Sequence, residues 1–158
     1  MSRTIRKKKN EIDITSAKAL LLSSRRGVLA LNGDDGYPYA IPINYYYDKD
    51  TEKIYFHGSW VGHKVDAIRS SSKVCFTVYE NETIKNETWA PFMQSVVVFG
   101  KFHILEDTPE KNTLLKKIAL KYYPNEQLIY EEIARAGKAA QIYKIDIEHL
   151  SGKEIQER

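Results

Sequence analysis

At 158 residues with one cysteine, Cys75, the chain has the length of a single domain and cannot form an intrachain disulfide; a domain this size buries roughly 68 to 70% of the surface its unfolded form exposes, so it needs no staple, and the lone thiol points to a reducing, cytoplasmic setting. The formal charge is +3, but Arg3, Arg6, Lys7, Lys8 and Lys9 supply five positives before the first periodic segment, leaving the rest at a net −2 with no sustained basic face for nucleic acid. No apolar signal region follows the basic start and no apolar run reaches membrane-spanning length, so a soluble protein is expected.

Residues 1–12 read as a basic N-terminal arm and 13–158 as one folded domain. Asp13 or Thr15 can cap a short helix whose stripe includes Ala17, Leu20 and Leu21 and which ends near Ser23. Residues 27–31 read as a strand, with Asp34, Asp35 and Gly36 as its turn. The chain returns as a second strand over 39–47, crosses a charged loop at 48–53 and forms a third strand at 54–57. In the second strand Ala40, Pro42 and Asn44 alternate with Ile41, Ile43 and Tyr45. Pro42 cannot donate to a ladder, which marks an edge, a bulge or a place where something other than a strand lies alongside. Alternation also puts Tyr45 and Tyr47 on one face and Tyr46 on the other, as ordinary sheet packing requires.

A helix is predicted after Gly62, with Val65, Ala67 and Ile68 at helical spacing, ending near Ser70. Residues 74–79 have strong strand propensity, 80–87 read as a loop, and Trp89 and Pro91 open a long apolar strand over 94–104 with a bulge or bend at Gly100. Trp89 and Phe92 are core aromatics or interface anchors. Thr108, Pro109 and Glu110 begin a helix that Pro124 ends; a weaker one covers 127–136 before Gly137. A last strand at 141–147 places Ile142 off the face of Tyr143, Ile145 and Ile147. The links are too short for repeated crossover helices. Six mostly antiparallel strands with peripheral helices make a mainly β, α+β domain, a closed or split β-barrel.

One stretch suggests chemistry. The strand at 54–57 delivers the chain to Gly58, Ser59, Trp60, Val61, Gly62, His63 and Lys64, where a helix begins. A helix N-terminus presents unpaired N–H groups and partial positive charge, stabilising an anion by about 0.3 to 2 kcal/mol. The glycines permit close backbone approach, Ser59 offers a hydroxyl and Lys64 a full charge, a combination suited to a phosphate monoester. A charge-assisted hydrogen bond adds roughly 1.5 to 3 kcal/mol, whereas micromolar affinity needs about 8, so the seat requires an apolar platform beside it. The four histidines, His57, His63, His103 and His149, do not fall with Cys75 at ligand spacing, and no metal site is expected.

PYAIPINYYYD, then IYFHGSWVGHKVDAIRSSSKVCFTV, SVVVFGKFHILED and a closing IYKIDIEHLSGKE together resemble the pyridoxamine 5′-phosphate oxidase-like split-barrel flavoproteins, and within them the nitroimidazole-resistance subgroup. The resemblance covers about residues 27–153. It implies a six-stranded split barrel forming a homodimer, with flavin mononucleotide (FMN) at the subunit interface. It places Ala40, Ile41, Pro42, Ile43 and Asn44 along the isoalloxazine ring, continued by Phe56, His57 and Gly58, and gives the ribityl phosphate to Ser59, His63 and Lys64. Gln94 and Ser95 match positions that reach the flavin, from the same or the other subunit. His57 is the candidate proton donor. Trp60 is bulkier than the resemblance leads one to expect, and the arginine signatures of true pyridoxamine 5′-phosphate oxidases are not evident, which argues against synthesis of pyridoxal phosphate.

The function expected is FMN-dependent oxidoreduction of a small acceptor such as a nitroaromatic. A flavin carrier or sensor without turnover, and a haem-binding protein on the same barrel, are the alternatives. No dinucleotide fingerprint is present, so the electron donor is open.

Overall fold

The computed structural model describes residues 3–87, 90–106 and 108–156. In chain order the elements are β1 (Glu11–Ile12), α1 (Ile14–Ser23), β2 (Arg26–Asn32), β3 (Pro38–Asn44), β4 (Tyr46–Asp48), β5 (Lys53–Gly58), α2 (His63–Ser70), β6 (Lys73–Lys85), β7 (Ala90–Leu105), α3 (Lys111–Tyr122), α4 (Glu126–Ala136) and β8 (Gln141–Gln156). Every strand pair is antiparallel and the sheet runs β3-β2-β6-β7-β8-β5-β4, with β1 added to β8. The two ends of this path, β3 and β4, are consecutive in the chain and separated only by Tyr45. The sheet therefore curls until its edges are two parts of one segment. No ladder joins β3 to β4 among the described residues, so the barrel is split there.

Eight strands appear where six were expected, for two local reasons. The segment at 39–47 divides because the Tyr45 amide donates to the Tyr122 hydroxyl at 2.8 Å rather than to a neighbouring strand. Glu11 and Ile12, at the end of the expected arm, pair with Lys153 and Gly152 of β8, and the buried Asn10 side chain donates to the Glu154 carbonyl at 3.0 Å. Asp13 is the cap of α1, its carboxylate accepting from the Ser16 amide at 2.9 Å.

Two strands outrun their sequence signals. β6 crosses the expected loop at 80–87 as far as Lys85, because β7 supplies partners across a register shift between Glu80 and Thr83, where Asn81 takes a positive φ of 60°. β8 passes Ile147 to Gln156 because β7 keeps pairing with it. The bulge expected at Gly100 is present: Phe99 faces His149 and Gly100 faces Ile147, and a side chain at Gly100 would bring its Cβ to 2.3 Å from the Asp146 carbonyl. α3 begins at Lys111, later than the Thr108 cap suggested, because Thr108 spends its hydroxyl on the Glu110 carboxylate at 2.6 Å. Trp89 lies outside the described residues.

The barrel interior is aromatic and aliphatic. Phe56 stacks on Phe102 with centroids 5.5 Å apart and meets Phe76 edge-on at 5.7 Å, while Tyr45 meets Phe76 at 4.9 Å. Each fully buried side chain of this size contributes about 1.5 to 3 kcal/mol over exposure. β8 is apolar on both faces: Tyr143 and Ile145 point into the barrel with Tyr45 and Tyr47, whereas Ile142 joins Leu114, Leu115 and Ile118 of α3 in a second core with Tyr55. The α3–α4 hairpin is thus fastened to the outside of β5 and β8, beside the split.

Candidate functional site

β5 ends at Gly58, four residues form an exposed turn, and α2 starts after Gly62, whose φ of 124° favours glycine. Gly62 accepts the Val65 and Asp66 amides at 2.8 and 3.1 Å, leaving the earlier amides of the helix without an intrahelical acceptor. Lys64 folds back over the strand end. A Cβ at Gly58 would stand 2.9 Å from Lys64 Nζ, so the ammonium lies directly over the glycine and a side chain there would displace it. The ammonium also lies 5.0 Å from the centre of the Tyr143 ring, and the Tyr143 hydroxyl donates to the Ser59 carbonyl. No carboxylate of the described residues lies within ion-pair distance of Lys64, and burial lowers its pKa below the usual lysine value. A half-buried cation in this position favours an anionic partner from outside.

Ser59 accepts from the Val61 amide at 3.3 Å, which shapes the turn. His63 points elsewhere: it stacks on Tyr39 at 4.0 Å between ring centres and approaches the Asp34 carboxylate at 3.5 Å. His57 follows Lys64 more closely. Water reaches its ring, yet the surrounding protein, and secondarily the Lys64 charge, depress its pKa below the ordinary histidine value. The imidazole is therefore neutral at neutral pH, able to donate one N–H and accept at the other nitrogen.

The strand at 40–44 is two-faced. Ile41 and Ile43 pack on the barrel core, and Phe56 is wholly inside it, whereas Ala40 and Pro42 are exposed and Asn44 is half-buried. A ligand along this wall meets Ala40, Pro42, Asn44 and His57; the others support it from behind. Pro42 sits on an edge strand of the sheet opposite Val28, where its missing N–H costs nothing.

Gln94 and Ser95 are not brought to this seat. His57 pairs with Ile142 and Ser95 pairs with Lys153, positions eleven residues apart along β8, or roughly 36 Å of strand. Gln94 accepts from the Asn81 side chain at 2.9 Å and Ser95 lies opposite Tyr79. Sequence reasoning missed Tyr143 and Tyr122. Alternation in β8 marks Tyr143 as inward-facing, but nothing local links it to Lys64. Asn44 and His57 also form the floor of a cleft of about 790 Å³ whose walls are α3 and α4. Among the described residues no group of three metal-ligating side chains is close enough to hold an ion, and no helix is long and apolar enough to cross a membrane.

An antiparallel barrel split at one strand, with a helix start and a half-buried lysine at the mouth, defines a split-barrel protein with an anion-receptive turn. A model of the pyridoxamine 5′-phosphate oxidase family matches residues 13–154, and the chain belongs to that family. Among curated protein sequences none matches. A protein of Bacteroides thetaiotaomicron provisionally named for 5-nitroimidazole antibiotic resistance superposes with a TM-score of 0.77 at 19% identity, over 92% of this chain and 87% of that one. An FAD-binding protein of Mesorhizobium loti gives 0.63 at 22% identity, over 92% and 96%. An FAD and heme binding protein of Mycobacterium smegmatis gives 0.69 at 20% identity, over 89% and 70%. At these identities the similarity establishes the shared fold.

Proposed function

We propose that this protein is an FMN-dependent oxidoreductase that works as a homodimer and reduces a small acceptor of the nitroaromatic type. The observation that carries the reading is Lys64: a half-buried cation without a carboxylate partner among the described residues, laid over Gly58 at the start of α2, next to a wall formed by Ala40, Pro42 and Asn44. The residues fit the cofactor. Lys64, Ser59 and the first amides of α2 would hold its phosphate, and the exposed wall would take one face of its ring. When bound, the flavin supplies the electron transfer between a reduced donor and the acceptor. Family membership supports flavin over other phosphate esters.

The outer sheet face supports the homodimer reading. Cross-strand partners share a face, so Ala40, Ala30, Cys75, Phe99 and His149 make one row and Pro42, Val28, Thr77, Val97 and Ser151 the next. Phe99 and Tyr79 are exposed among the smaller side chains of these rows. A second copy seated there brings its own Ser95 towards the wall that Ser95 of the same chain is far from. His57 and Asn44 orient the acceptor, and the neutral His57 offers it an N–H.

The purified protein is expected to be yellow and to release FMN on denaturation, with Lys64→Ala weakening FMN binding roughly 10- to 100-fold, the equivalent of one charge-assisted hydrogen bond. Release of FAD would favour the second reading, motivated by the FAD-binding structural neighbours. A colourless protein that takes up neither flavin would overturn both. A Soret band on haem titration, lost on replacing a histidine, would move the assignment to haem.

A further inference from the structure

We propose that the α3–α4 cleft is the acceptor chamber of the flavin site and takes a neutral, multi-ring aromatic molecule whose hydrogen-bonding substituent is directed at Asn44 and His57. This inference rests on the flavin reading, since the floor of the cleft is the inner end of the proposed flavin wall.

Position is the first argument. Tyr46 pairs with Tyr55, and that register carried two residues further sets Asn44 opposite His57 across the split in the barrel. The cleft opens directly above these two side chains, and α3 and α4 wall it in. A molecule lying in it meets the Asn44 amide and the His57 ring at one end and the α3–α4 side chains along its length.

The walls give the chemistry. Leu115 and Ile118 line it from α3, and Ile129 and Ile133 from α4, with Leu128 and Tyr123 exposed at the mouth. Charge is confined to the rim. Arg135 is spent on Glu132, at 2.6 and 2.9 Å, and Glu131 accepts from Gln127 at 2.9 Å. With two carboxylates against one arginine, and that arginine already paired, the lining offers no free cation to a phosphate or carboxylate ligand. A neutral imidazole at the floor suits a nitro, carbonyl or amide substituent, which accepts one hydrogen bond without charge.

Size selects within that class. A cavity of about 150 Å³ suffices for a single benzene ring, whereas this cleft has about 790 Å³, within the usual range for drug-sized ligands. One imidazole ring would leave most of the apolar wall uncovered. A molecule of two to four rings would cover it.

N-phenyl-1-naphthylamine, a neutral three-ring fluorophore with one N–H, tests this in the FMN-loaded protein. Expected are saturable binding at one probe per chain, affinity at least tenfold weaker for the sulfonated analogue 1-anilinonaphthalene-8-sulfonate, and movement of the His57 ring and Asn44 side-chain amide resonances on titration. Ala119→Trp and Ala136→Trp, which fill the cleft from either helix, should each weaken the probe at least tenfold while the visible flavin spectrum is retained. Absence of saturation, saturation without movement of either floor residue, or tighter binding of the sulfonate overturns the inference and leaves the flavin reading standing. Displacement of the probe by FMN, mole for mole, would identify the cleft as the flavin's own seat and also overturn it. A chain that binds the probe as expected but takes up no flavin would overturn the chamber role together with the flavin reading.

Discussion

Lys64 governs the electrostatics of its surroundings. It and His57 are titratable neighbours in the same partly desolvated corner, and the lysine charge adds to burial in lowering the imidazole pKa. Replacing Lys64 by glutamine removes the repelling charge, so the His57 pKa should rise towards the ordinary histidine value; binding inorganic phosphate at the seat of the intact protein should act in the same direction. A titration of the His57 ring protons by NMR reads both, and a His57 pKa that falls or stays put in Lys64→Gln would show that the two groups are not coupled. Lys121 presents a different problem. Its Nζ is buried without a hydrogen-bond partner, 3.5 Å from the centre of the Tyr45 ring, and burial, assisted by Arg25, lowers its pKa from 10.5 to about 8. Between about pH 8 and 10.5 the unfolded chain holds this proton and the folded chain does not, so folding becomes more favourable as pH rises through that window. At pH 7 both states carry the charge and the folded state bears the full desolvation cost, partly returned by the contact with the ring. Lys121→Met should therefore be more stable than the parent at pH 7, by about 1 to 2 kcal/mol, with the difference shrinking as pH approaches 10. Denaturant melts at a series of pH values measure this directly.

Among the elements, α3 matters through its last residue. The Tyr122 hydroxyl receives the Tyr45 amide at 2.8 Å and lies 2.6 Å from the Arg25 carbonyl and 3.0 Å from the Tyr45 carbonyl, where it donates its own proton. These are backbone groups that the split leaves without a strand partner. The helix thus replaces a missing ladder at the point where β3 becomes β4, and the guanidinium groups of Arg25 and Arg26 cover the ring at 5.3 and 5.9 Å. Tyr122→Phe keeps the ring and strands the Tyr45 amide, at a cost of about 1 to 3 kcal/mol. Hydrogen exchange at Tyr45 should accelerate in that variant beyond what the global loss of stability explains. Equal acceleration across the sheet would mean that the hydroxyl is not a local pin.

For the whole molecule, the proposal of a flavin site shared between two chains makes its own prediction. Ser95 and the Gly58 to Lys64 turn lie far apart along β8 in one copy, while Phe99 and Tyr79 stand exposed on the outer face of the sheet. A stable dimer buries roughly 800 Å² on each partner, and a carboxylate in the middle of that area would be buried unpaired. Phe99→Glu should convert a dimer of 18.3 kDa chains into monomers on sedimentation, keep the far-ultraviolet circular dichroism of the parent, and lose flavin. A parent protein that sediments as a monomer with flavin bound would refute the two-chain site.

At this scale the division between sequence and tertiary structure is physical. Local and periodic signals were sufficient for α1 with its Asp13 cap, the two faces of Tyr45, Tyr46 and Tyr47, the bulge at Gly100, the opposed burial of Ile142 and Tyr143, and the turn bearing Gly58, Gly62 and Lys64, because each depends on neighbours within a few residues. The full lengths of β6 and β8 were not legible, since their polar ends are held by the ladder that β7 provides and by no propensity of their own. Nor was the division at Tyr45, which depends on a hydroxyl 77 residues away. By itself the sequence determined an antiparallel barrel and the glycine-flanked turn that carries Lys64 into α2. The tertiary structure decided which of those residues face outward, that His63 turns to Asp34 while Lys64 covers Gly58, and that a cleft opens beside His57, because side-chain direction and the meeting of distant elements depend on how the sheet closes round its core.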